Sequence, residues 1–292
     1  MSADARPSEW PLIVFTLGVQ FACAVLLAAV TADVLTGANH AGAARPLGVM
    51  VFPSIAGAIL CSWFHLGRPR DAWKSLSNLA HSRLSQEVLL TGLFVAAALP
   101  YSAMWYGGIT ALRPAWGIAT AMLGLAAIAS GASIYTVPAR PVWNSWWVPA
   151  SFFGATLVLA GPAFAIVVNA SGLRTVLDVL LAATIVGSVL QLVSAFGMLT
   201  VATAVAGRQA RDAGIEEAPA LNGAAQRRTF ALHLILACVL PAAVAVWLST
   251  VGREDAGAVN RGIVALAFLS AATGATLGRR LMFTLGTSIP RF

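Results

Sequence analysis

Along this chain, apolar residues occur in long uninterrupted runs, with neither the stripe of a surface helix nor the alternation of a half-buried strand. The runs fall at 11–35, 46–65, 85–106, 114–135, 148–169, 175–205, 230–250 and 260–277. Each approaches or exceeds the roughly 20 residues that carry a helix across a hydrocarbon core about 30 Å thick, well beyond the ten or so of a barrel strand. Hydrocarbon offers the backbone no hydrogen-bond partner, so each run must satisfy its own N–H and C=O groups as a helix. The pattern predicts an all-α integral membrane protein, an eight-transmembrane-helix bundle with both termini on the same side. It reads as a single polytopic membrane domain over 1–292.

The polar stretches between the runs are short and mostly punctuated by arginine, tryptophan and proline. Trp10 and Pro11 open the first run, a ring suited to the interface and a proline where its missing N–H costs little. Between the second and third lies HLGRPRDAWKSLSNLAHSR, and between the fourth and fifth YTVPARPVWNSWWVP, whose Trp143, Trp146 and Trp147 are expected at headgroup depth. The longest linker, GRQARDAGIEEAPALNGAAQRR, is polar and mixed in charge. Gly278-Arg279-Arg280 is expected to end the last span.

Composition agrees with the pattern. Hydrophobic residues make up 59% and charged ones only 10%, with a mean hydropathy of +0.81, where a soluble domain carries about 25% charge. The net charge of +7 does not indicate nucleic-acid binding, because the cations flank the spans instead of sharing one face. All of them except Lys74 are arginine. Counted by topology, 13 basic residues lie on the side of the N-terminus and 5 (Arg45, Arg113, Arg174, Arg253, Arg261) on the other. The positive-inside rule then puts both termini in the cytoplasm, although a basic face also suits the docking of soluble subunits. Cys23, Cys61 and Cys238 lie in apolar stretches without a CxxC pair and read as small buried hydrophobes. The first run, lacking a basic leader and a small-residue cleavage signal, reads as a retained helix.

Ionisable groups at membrane depth are the informative ones. His65 closes the second run and Glu87 opens the third, so an antiparallel hairpin brings both to the N-terminal-side interface. Imidazole and carboxylate are what a quinol site needs: the quinol hydroxyls must lose protons as electrons leave, and both groups can take and pass them. Arg68, Arg70 and Asp71 could orient such a ligand, with Trp63, Phe64 and Trp73 as flat walls. The plainer readings are a structural histidine at a helix end and a carboxylate favoured by the helix dipole. His233, on the same side, could pair with His65 as bis-histidine haem ligands, but similar depth is weak support for haem. His40 and His81 read as solvent-facing, and Asp178 as either a surface residue or part of a proton path. No spacing supports an iron–sulfur cluster, zinc or a nucleotide, so no metal site is expected in this chain and any metals belong to partners. Transporters share Gly- and Pro-rich spans but often place charges at the midplane, whereas these polar groups cluster at one interface. A purely structural anchor without a quinone site is the third possibility.

Several sequence marks, in order, resemble the DmsC-type membrane anchor subunits of molybdopterin oxidoreductases such as dimethyl sulfoxide reductase. They are Glu9-Trp10-Pro11-Leu12 with Phe15-Thr16 and Gln20; His65-Leu66-Gly67 leading to Ala72 and Ser75-Leu76; Ser85 and Glu87; Tyr135 with Trp143, Trp147 and Pro149; Gly161-Pro162; and an arginine-bearing tail. The resemblance covers the whole chain and extends to sulfite dehydrogenase anchors. It implies a multi-pass subunit of the bacterial cytoplasmic membrane, without catalytic residues of its own for the terminal substrate. It also implies a four-cluster, ferredoxin-like iron–sulfur partner, a molybdopterin catalytic partner, and a site for menaquinone or ubiquinone, usually without haem. The family's quinol-site histidine and acid map onto His65 and Glu87. Reductase relatives oxidise quinol with exported catalytic subunits, whereas the sulfite type keeps them in the cytoplasm and reduces quinone. The charge count favours the latter arrangement.

Overall fold

A computed structural model describes residues 10–63, 69–167, 173–212, 220–221, 223–250 and 258–287. Among the described residues there is no strand, and eight helical segments are long and apolar enough to cross a membrane. In sequence order the helices are α1 (Trp10–Thr36), α2 (Arg45–Trp63), α3 (Arg83–Gly107), α4 (Arg113–Tyr135), α5 (Trp147–Val167), α6 (Arg174–Asp212), α7 (Ala224–His233), α8 (Leu240–Thr250) and α9 (Ala258–Thr287). A π-helical turn, Leu234–Val239, joins α7 to α8 in one span. It ends just before Pro241, whose nitrogen has no proton for the regular ladder. A 3₁₀ helix, Pro69–Asn78, occupies much of the polar loop after α2.

Helices α1 and α5 form the centre, with 67% of their most apolar windows buried, against 28% for the second, seventh and eighth spans. Close approach depends on small residues, since in lipid no hydrophobic effect pulls helices together. At Gly187 of α6 an added Cβ would lie 2.4 Å from the Val158 nitrogen and 2.8 Å from the Gly154 oxygen of α5. Nothing larger than glycine fits unless the backbones part. Pro53 interrupts the ladder of α2, and a neighbouring helix repairs the adjoining bonds. Phe52 N donates to Ser102 Oγ of α3 at 3.0 Å, and that hydroxyl donates onward to Gly48 O at 2.9 Å. A hydroxyl from α3 thus stands in for one backbone bond of α2 where water is excluded.

The expected spans fall a few residues short at most ends, and the largest discrepancy is in the last. It runs to Thr287, past the expected stop at Arg279-Arg280, and buries Arg279 to 4% exposure while Arg280 stays exposed. The Arg279 guanidinium lies 3.4 Å from the centre of the Phe152 ring, which replaces some of its lost hydration. Of the three tryptophans expected at headgroup depth, Trp146 is 86% exposed and the other two are half-buried. Trp143 packs edge-on against Tyr135 and Phe283 and donates to Met282 O at 2.8 Å, and Trp147 fills the space left by Gly197.

Candidate functional site

Two polar clusters are buried in the bundle, one near each end. At the end away from the N-terminus, Asp33 of α1 meets Arg113, the first residue of α4, and both are nearly sequestered from solvent. The guanidinium donates from Nε to both carboxylate oxygens (3.2 and 3.0 Å) and from Nη2 to Oδ1 (2.7 Å) and to Ala38 O (2.7 Å). It also stacks 3.7 Å from the centre of the Trp105 ring. The charge count treats Arg113 as a loop cation, and Asp33 carries no motif. The available signal was two opposite charges at the end of one span and the start of another.

At the N-terminal side, Ser82 caps α3 by accepting from Ser85 N, and Arg83 donates to Ser133 O, Thr136 O and Thr136 Oγ1 at the end of α4. This fixes the start of α3 against the end of α4 and orients Glu87, one turn further in. Glu87 lies past the first turn of α3, beyond the reach of the helix dipole, so the dipole does not account for it. Its side chain faces a cleft between four helices, lined by Phe15, Thr16, Val19 and Gln20 of α1, Thr91 of α3, Ala127, Ile128 and Gly131 of α4, and Phe152 of α5. Gly131 makes the room: a Cβ there would lie 2.8 Å from Glu87 Oε1. Among the described residues the Glu87 carboxylate has no hydrogen-bond or ion-pair partner. Gln20 is fully buried, and neither its Nε2 nor its Oε1 meets a protein partner. A buried amide left unsatisfied at both ends costs a few kcal/mol unless something polar reaches it. In the sequence Gln20 is only a family mark; its place in the site comes from the packing of α1 against α4 and α5.

His65 and Arg68 lie outside the described residues, as does Phe64, and so do the side chains of Arg70, Asp71 and Trp73. Trp63, the last residue of α2, is 54% exposed. Helix α2 ends at the same end of the bundle where α3 begins, and His65 follows two residues along the sequence. His233 is buried, donates from Nδ1 to Gly274 O at 2.8 Å and packs its ring on Gly278. The ring therefore joins α7 to α9. His40, His81 and Asp178 are exposed. Among the described residues no group of three His, Cys, Asp or Glu is arranged to hold a metal ion.

The fold and this site define a polytopic membrane protein with a polar cleft opposite a closed ion pair. The chain belongs to the family described as DMSO reductase anchor subunit (DmsC), whose model matches residues 5–285. It is 30% identical over 170 residues to the C subunit of the anaerobic dimethyl sulfoxide reductase of Escherichia coli (strain K12), covering 53% of this chain and 55% of that protein. It is 27% identical over 165 residues to the anaerobic dimethyl sulfoxide reductase subunit YnfH of the same strain, covering 54% and 56%. The C subunit of the Haemophilus influenzae anaerobic dimethyl sulfoxide reductase is 28% identical over 161 residues, covering 52% and 56%. The chain thus spans about half the length of the curated relatives it matches. Eight spans and these bacterial relatives place it in the bacterial inner membrane.

Proposed function

We propose that this protein is the membrane anchor and quinone-reactive subunit of a molybdopterin and iron–sulfur oxidoreductase complex, exchanging electrons between the quinone pool and the iron–sulfur subunit. The observation that carries the reading is the Glu87 carboxylate, without a partner among the described residues, lining one cleft with the buried, unsatisfied Gln20 amide at the end of the bundle where the His65 connection begins. Quinol oxidation releases two electrons and two protons. The electrons leave to the partner's nearest cluster, Glu87 takes one proton and His65 the other, and both groups return them to water on the N-terminal side. Quinone reduction uses the same groups in reverse. Trp63 and Trp73 offer flat walls to the ring, and Arg68, Arg70 and Asp71 supply orienting charge.

The relatives' names, as subunits of anaerobic dimethyl sulfoxide reductases, support the quinol-oxidising direction. The arginine-rich N-terminal side, taken as cytoplasmic, favours the opposite one. Purification with native partners in mild detergent, with assays for molybdenum and iron, tests the assembly. A signal sequence on the molybdenum subunit marks the exported reductase type. In that complex, His65→Asn and Glu87→Gln should each lower quinone-coupled turnover by about 10²–10⁴-fold, with dye-coupled turnover at the molybdenum subunit retained. Full quinone-coupled activity in either variant removes that residue from the mechanism.

A further inference from the structure

We infer that Gln20 is a positioning residue that holds one buried water against the Glu87 carboxyl group. The cleft they share is narrow, with room for about one water. It is lined by a carboxylate with no partner among the described residues and by an amide satisfied at neither end, which are the partners a buried water requires.

The amide suits both states of the acid. With Glu87 ionised, Gln20 Nε2–H donates to the water and the water donates to the carboxylate. With Glu87 protonated, its O–H donates to the same water, which turns and donates to Gln20 Oε1. Asparagine and glutamine combine a donor and an acceptor at one terminus, whereas a lysine offers only donors and an ionised acid only acceptors. Ionising a carboxyl group that has no partner among the described residues, in a mostly apolar cleft, is costly, so the water makes the proton-accepting form of Glu87 available. The proton moves from the quinol hydroxyl to Glu87 and stays on that carboxyl group until release; the water moves no net charge. Gly131 contributes by leaving the carboxylate room beside α4.

The role in turnover rests on the quinone reading above, whereas the water's location does not, and the test separates them. Gln20→Met keeps the length of the side chain and removes both polar ends. The intact complex in liposomes is studied by infrared difference spectroscopy in H₂¹⁶O and H₂¹⁸O, with the Glu87 carboxyl band assigned by its loss in Glu87→Gln. We expect an oxygen-isotope-sensitive O–H band from the buried water that disappears in Gln20→Met, together with a displaced Glu87 band. Quinone-coupled kcat should fall about tenfold or more, with KM for a short-chain quinol little changed. An isotope-sensitive band and a Glu87 band both unaltered in Gln20→Met, in a complex that still assembles, would overturn the inference. Loss of the water band with full quinone turnover would uphold the water's position and overturn its role in turnover.

Discussion

The two buried polar clusters use similar side chains to opposite ends. Asp33 and Arg113 satisfy one another almost completely: the carboxylate receives three of the guanidinium's bonds, Ala38 O takes another, and Trp105 covers the cation's face. Glu87 and Gln20 leave a carboxylate and both ends of an amide without protein partners among the described residues. The closed cluster pairs its two charges with one another and fixes α1 against α4. An open one sacrifices stability and retains capacity to bind and exchange protons. Burial of a charged group therefore does not by itself mark a site.

The largest effect is expected at the closed end. Arg113→Ala leaves Asp33 buried without its cation and should cost about 3–5 kcal/mol, read as lower thermal stability in detergent. Combining Asp33→Leu with Arg113→Met should recover most of that loss, because a buried pair replaced by apolar groups is often neutral. If the double variant is as unstable as the single one, the stacking on Trp105 and the bond to Ala38 outweigh the pair. At the open end, Gly131→Ala places a methyl group against Glu87 Oε1 and should cost about 1–3 kcal/mol. Quinone-coupled turnover should fall by more than that stability loss explains. The smallest expected effect on stability belongs to Glu87→Leu, which removes a carboxyl group without a partner among the described residues and should leave the melting temperature unchanged or raised while quinone-coupled activity is lost. A drop in melting temperature comparable to that of Arg113→Ala would show Glu87 to be a structural group and erase the distinction.

Much of the architecture was written in the apolar runs. Eight stretches of sufficient length, with no water to satisfy the backbone, leave helices as the solution, and every expected span is present. The ends were less legible, because an arginine in the sequence reads as a boundary. Arg279 shows why: its cation rests on the face of Phe152, a residue more than a hundred positions away, so the helix continues through it. Trp143 and Trp147 have their rings held by Met282 and Gly197 of other helices, contacts that no local pattern gives.

In the candidate site, Glu87 could be selected from the sequence because a carboxylate just inside an apolar run is costly and needs a reason. Gln20 could not, since a neutral amide in a helix is unremarkable until its neighbours are known, and for Asp33 the signal was only an opposite charge at the start of a span 80 residues later. The sequence by itself determined that this protein crosses the membrane eight times and where its costly groups lie along it, because transfer from water to lipid depends on each segment's own composition. Only the tertiary structure decided which of those groups are satisfied, because hydrogen bonds and ion pairs between helices depend on depth, rotation and the close approach that residues such as Gly131 and Gly187 permit.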